Sequence, residues 1–244
     1  MNGARQALLL AQWQLRRQST MLPLLVVVQT AIAVATVVGY GLLVGDPPPE
    51  VAVFLATGAP TVTLISVGLV MTPQMLAQSK LEGSLDWMRT LPVPRVVFLL
   101  SDLAVWTLLA LPGMVLGVVA GVMRFDLELS VAPWILVAVL VISLTAASVG
   151  YGMASVLPPA LAMIMTQLLI FVVLLFSPIS YPAERMPDWL QQAHEVLPIE
   201  PMAQLMRAGL VDDTFSVPGR SLVVLAAWTA VSVGGALMAL RRRA

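Results

Sequence analysis

The chain has 244 residues, of which 59% are hydrophobic and only 11% charged, with a mean hydropathy of +0.93. A soluble domain carries about 25% charged residues, so this chain cannot cover a water-facing globule, and lipid takes the place of the missing solvent. The sequence has no cysteine, a single histidine (His194) and a net charge of zero, which excludes disulfide frameworks and thiolate or histidine-cluster metal sites and argues against a nucleic-acid surface.

In chain order, the first predicted element lies within residues 1–20. Over Ala4–Gln18, Leu8, Leu9, Ala11, Trp13 and Leu15 alternate with Arg5, Gln12, Gln14, Arg16 and Arg17. A basic amphipathic helix with a tryptophan lies flat on the inner leaflet; the alternative is a cytosolic extension of the first span. Crossing the hydrocarbon core takes roughly 20 apolar residues in a helix, because unpaired backbone amides are too costly there. Six segments qualify: Leu22–Val44, Val51–Met75, Val96–Val122, Val131–Leu157, Ala160–Phe176 and Leu222–Leu240. A cleaved signal peptide fits the first one poorly, since its apolar stretch is too long and starts too late. Short turns separate most spans: Asp46–Glu50, Arg124–Ser130 and the tight Leu157–Ala160. Two connectors are longer, Ala77–Arg95 and Ser177–Ser221.

Lys and Arg mark the cytoplasmic side. With the N-terminus inside, they divide nine to four in favour of the inner side, the outer four being Arg124, Arg185, Arg207 and Arg220. Most acidic residues fall outside. Both termini are therefore expected in the cytoplasm.

Within the spans, Gly113, Gly117 and Gly121 line one face of the third, and Gly41 and Gly45 repeat in the first. Such small residues let helix backbones approach closely in lipid, where van der Waals packing drives association. Packing within the chain is the preferred reading over a dimer seam. The second span carries Pro60 and Pro73 among Thr57, Thr61, Thr63, Ser66, Thr72 and Gln74. It reads either as a mobile helix lining a pathway or as a kinked one whose hydroxyls bond back to the helix. Gln29 and Gln167 are expected to face other helices, since an amide is costly in lipid without a partner. Met153, Met163 and Met165 suit an adaptable apolar lining or plain packing. Asp102, near the cytoplasmic end of the third span, reads as an interfacial acid reaching water or a basic neighbour, or as a coupling or passage residue.

Catalytic signatures are missing. No G-x-x-x-x-G-K-[ST] or G-x-G-x-x-G loop is present to cradle a nucleotide, and no G-x-S-x-G or H-E-x-x-H motif appears. The chain is read as a non-enzyme that binds neither metal nor cofactor.

The inner connector runs Gln78-Ser79-Lys80-Leu81-Glu82-Gly83-Ser84-Leu85-Asp86-Trp87-Met88-Arg89-Thr90-Leu91-Pro92-Val93-Pro94-Arg95. Leu81, Leu85, Trp87 and Met88 give a short helix an apolar face, which the prolines end. Glu82, Gly83, Ser84, Leu85, Leu91, Pro92 and Val93 resemble the coupling-helix segment of ABC-2 type permeases. The outer connector, with Tyr181-Pro182, Met186-Pro187-Asp188-Trp189-Leu190, Leu197-Pro198 and Arg207, resembles the segment after the fifth span in that family. Leu197-Pro198-Ile199-Glu200 departs from the family's Asn-Pro-Leu-Thr.

The resemblance implies an all-α membrane protein of six transmembrane helices, with an N-terminal amphipathic interface helix, a cytoplasmic coupling helix (loop 77–95) and extracellular re-entrant helices (177–221). It implies a permease subunit of a bacterial ABC exporter in the cytoplasmic membrane. Cytosolic ATPase subunits, which hold ATP and Mg, would dock on Glu82, Gly83, Ser84, Leu85, Trp87, Met88, Arg89 and Pro92. A second, identical or homologous permease would complete the pathway. Tyr181, Pro182, Pro187, Trp189 and Leu190 would form the outer gate, and Asp102, Thr61 and Gln167 are the candidates for pathway or coupling roles. The spans are largely apolar, which favours an amphipathic or hydrophobic substrate such as a drug-like compound or a lipid. An ion-coupled secondary transporter would show intramembrane charges and inverted repeats; a non-transporting membrane partner with the same fold is the other alternative.

Overall fold

The computed structural model describes residues 3–17, 22–83 and 94–241. Those residues are almost wholly helical, and six helices are long and apolar enough to cross a membrane. The helices are α1 (Gly3–Arg17), α2 (Leu22–Val44), α3 (Pro49–Ser66), α4 (Thr72–Leu81), α5 (Arg95–Phe125), α6 (Ile135–Val156), α7 (Pro159–Phe176), α8 (Asp188–His194), α9 (Ile199–Leu210) and α10 (Gly219–Arg241). The first, fifth and sixth spans are α2, α7 and α10, close to where hydropathy places them.

The second span departs from its expected bounds. It runs unbroken from Pro49 to Leu81 over 33 residues, about 50 Å at the usual helical rise. The expected connector from Ala77 therefore starts at Glu82. The extra turn persists because Lys80 has somewhere to go: its ammonium donates to the carbonyls of Ala154 at 2.6 Å and Ser155 at 3.2 Å. These are carbonyls at the C-terminal end of α6, which lack partners in their own helix and carry its negative dipole end. Gly83, at φ +71°, then takes the left-handed conformation that ends the helix.

The third span also outruns its bounds, because Arg124 belongs to α5 and not to the turn after it. Its guanidinium donates to the carbonyls of Gly41 and Gly45 at 3.4 and 3.5 Å, at the C-terminus of α2. Conversely, the fourth span starts at Ile135 rather than Val131. Residues ahead of it are used otherwise: Ala132 N–H donates to the Gly209 carbonyl at 2.9 Å, and Asp212 N–H to that of Ser130 at 3.0 Å.

The glycine face of α5 packs inside the chain. A methyl built on Gly113 would lie 3.1 Å from the backbone of Gln29, and one on Gly117 3.1 Å from the Ala33 methyl. On Gly121 it would meet Ala56 at 2.7 Å. Gln29 is buried there, as expected. Gly45 is different from the predicted contact residue: nothing lies within 4 Å, and its φ of +76° makes it the residue that terminates α2. The second span sits at the centre, with 83% of its apolar window buried against 11% for α10.

One contact is tighter than the rest. A methyl on Gly150 of α6 would overlap the Gly68 carbonyl oxygen and sit 2.9 Å from Pro73 Cδ, whereas Gly152 faces open space. Gly150→Ala is therefore expected to cost about 1–3 kcal/mol through overpacking against backbone, and Gly152→Ala to be neutral or slightly stabilising. Thermal unfolding of the two purified variants in detergent checks this; equal midpoints would contradict the contact.

Candidate functional site

The bundle has two ends. One carries α1 and Glu82-Gly83; the other carries residues 126–134 and 177–218.

At the α1 end, α1 lies along the start of α5. The Gln14 side-chain amide donates to the Asp102 carboxylate, and the Ser101 hydroxyl to the Ala7 carbonyl at 3.1 Å. Asp102 thus accepts from the amide of α1 and links that helix to α5. Of the expected docking residues, Glu82 accepts from Gln78 at 2.8 Å and Gly83 caps α4. Ser84, Leu85, Trp87, Met88, Arg89 and Pro92 lie outside the described residues.

In mid-bundle the second span keeps its hydroxyls to itself. Thr57, Thr61 and Thr63 donate to the carbonyls of Val53, Thr57 and Ala59, one turn back in each case. Thr61 is fully buried among neighbouring helices. All three hydroxyls are buried and bond back to their own helix. Gln167 lies exposed on α7, as do Ile164, Leu168 and Phe171.

At the opposite end the expected gate residues are held by local structure. The Tyr181 phenol donates to the Leu175 carbonyl at 3.1 Å; burial, then the nearby Tyr40, pushes its pKa up, so it stays a donor. Pro182 opens a short 3-10 turn, and Pro187 is the N-cap of α8, accepting from Leu190 and Gln191 N–H. Leu190 is half-buried, and Trp189 is 67% exposed. His194, at the end of α8, is buried and lies 2.8 Å from the Phe176 carbonyl through Nε2. The departure at residues 197–200 also has a role. Pro198 caps α9, and Glu200 puts an acid in its first turn, accepting from Gln204 at 2.8 Å.

A further polar arrangement here centres on Arg207, which the sequence marks as part of the outer connector's resemblance but not as a site residue. Arg207 of α9 is only 4% exposed. Its Nε donates to the Thr57 hydroxyl at 3.3 Å and Nη2 to the Ile179 carbonyl at 2.9 Å. The guanidinium lies 3.7 Å from the Phe54 ring centroid, with Phe215 at 5.8 Å, and the two rings pack edge to face. Among the described residues no carboxylate lies within ion-pair distance. Burial accordingly pushes the guanidinium down to about 10, opposed by the more distant Glu200 and Glu184, and it remains charged at neutral pH. The cation is held by π faces, one carbonyl and one hydroxyl, each contact worth on the order of 1–3 kcal/mol when desolvated. Gly58 makes the clamp feasible: a methyl there would be 2.6 Å from the Ser180 hydroxyl, so only glycine lets residues 179–180 reach the second span. One signal was available in the sequence, a lone charged residue in the largely apolar stretch Met202–Leu210.

Arg207 thus ties α9, the segment after α7 and the second span at one point. Arg207→Ala is expected to lower the unfolding midpoint strongly, by about 3 kcal/mol or more, since it orphans the Ile179 carbonyl and opens a cavity. Arg207→Lys keeps the charge but not the planar fork, and should fall between. Denaturation of both variants in detergent measures the order; Lys no better than Ala would show that charge alone contributes nothing.

The chain was compared with known families and proteins. The profile of the family described as ABC-2 type transporter matches residues 4–211, from the start of α1 through the end of α9. No curated protein matches the chain. The matched region contains five of the six spans, the Glu82-Gly83 exit and the Arg207 clamp, and on that coverage the chain belongs to the ABC-2 type transporter family, as a multi-pass membrane component of a transporter.

Proposed function

We propose that the chain is the permease half of an ATP-driven exporter. The observation that carries the reading, beyond family membership, is the second span. It runs through the bundle to Leu81 and hands over at Gly83 to the segment resembling a coupling helix, while near its other end Thr57 is clamped to α9. One helix therefore joins the docking segment to the opposite face. Because the sequence has no phosphate loop, ATP and Mg belong to separate cytosolic ATPase subunits. The Lys/Arg asymmetry supports a cytoplasmic α1 end; in this reading the chain sits in a bacterial cytoplasmic membrane, with α1 on the inner leaflet and α8 and α9 dipping from outside. Tyr181, Pro182, Pro187, Trp189 and Leu190 belong to the outer gate.

The exposed Gln167 supports a second permease copy. An amide on an apolar helix face is stabilised when another helix pairs with it, and α7 offers that face bare. Two copies meeting along α7 would place the Gln167 amides against each other and enclose a pathway of apolar and methionine side chains such as Met165, suited to an amphipathic or hydrophobic substrate.

Two experiments test this. Trp87→Asp or Leu85→Asp should abolish co-purification of the ATPase while leaving the permease folded; undiminished co-purification would remove the docking segment. Gln167→Cys, introduced into a chain with no natural cysteine, should form an oxidant-dependent dimer in membranes, whereas Leu136→Cys, exposed at the start of α6, should not. Equal cross-linking at the two positions would remove α7 as the seam.

A further inference from the structure

We propose that the π-helical turn Val67–Met71 is a hinge, on which α4, α6 and α7 swing as one unit against α1, α2 and α5. The hinge is a property of the chain by itself and does not depend on the export reading.

The second span changes neighbours at this turn. Its first half, α3, packs chiefly against α5 and α2. The turn itself packs against α6, and α4 beyond it against α7 and α6. A single helix is thus shared between two groups of spans, and the boundary falls at residues 67–71. At that boundary the backbone leaves the α-helical pattern: Thr72 N–H bonds to the Val67 carbonyl, five residues back, and the Thr72 hydroxyl reaches the same oxygen at 3.3 Å. Pro73 follows directly and supplies no N–H, so the α-helical ladder cannot close across the turn. A π-turn beside a proline is a place where a helix bends or shifts register at low cost.

The unit on the far side of the turn is tightly joined. Gly68 lets α6 come within backbone contact at Ala146 and Ala147, and Gly150 returns the contact to Gly68 and Pro73. At its far end Lys80 grips the carbonyls of Ala154 and Ser155. The other unit is joined by the glycine face of α5 on α2 and by α1 on Ser101 and Asp102. At the α9 end the units are fastened together, since Arg207 binds α9 to the second span and residues 130–132 pair with 209–212 ahead of α6. The hinge would therefore open at the α1 end. Thr72 is the positioning residue of the hinge, because its hydroxyl holds the π-turn carbonyl.

Double electron–electron resonance on the full chain in lipid nanodiscs tests this, with nitroxides on introduced cysteines. Leu8→Cys with Val156→Cys reports across the two units at the α1 end; Leu8→Cys with Leu43→Cys lies within one unit, and all three positions are exposed. The first pair is expected to give two distance populations and the second pair one. Pro73→Ala, which restores the missing donor, should merge the two populations. Thr72→Val should change their ratio about three- to ten-fold, the effect of losing one hydrogen bond. A first pair as narrow as the second overturns the hinge, and so does a distribution that neither variant alters. If Pro73→Ala does not fold, Thr72→Val alone decides. No ATPase is needed, so a missing ATPase partner would count against export without touching this result.

Discussion

The last carbonyls of a helix have no partner within it, and a bilayer interior offers no water to supply one. In this protein side chains from other elements supply the donors. Lys80 closes the end of α6, Arg124 the end of α2, and His194 meets the last carbonyl of α7. Arg207 reaches the Ile179 carbonyl just beyond α7. Each contact fixes where one helix stops against the flank of another, and so sets the relative heights of the spans. The tolerance for basic residues in so apolar a chain follows: their charge is placed on the negative ends of helix dipoles or over aromatic faces.

With heights fixed, lateral packing is left to small residues. Gly113, Gly117 and Gly121 bring α5 onto α2 and α3, while Gly58, Gly68 and Gly150 let the second span touch backbone on either side. Lipid tails are as apolar as leucine, so close van der Waals approach, not hydrophobic exclusion, distinguishes these interfaces. The result is a second span enclosed on all sides and outer faces on α2, α7 and α10 left to lipid or to another copy.

The second span is centrally buried, Lys80 ties its end near Gly83 to α6, and Arg207 clamps it to α9 near the opposite end. Charge inside the bundle is placed for holding elements together: Asp102 anchors α1, and Arg207 anchors α9.

The sequence by itself determined the class, the number of spans and nearly all their positions, because hydropathy over 20 residues is a property of local composition. It also carried the family, through short motifs at the two long connectors. The glycine face of α5 was legible too, since a four-residue repeat on a helix needs no partner to be seen. Where spans start and stop was not, at Leu81, Phe125 and Ile135, because those ends depend on donors and carbonyls contributed by residues 74 to 83 positions away. For the same reason the tertiary structure alone turned Arg207 from a loop charge into a buried clamp, placed Asp102 under Gln14 and left Gln167 facing outward. A side chain's chemistry is written in the sequence; the group it meets across the bundle is chosen by packing.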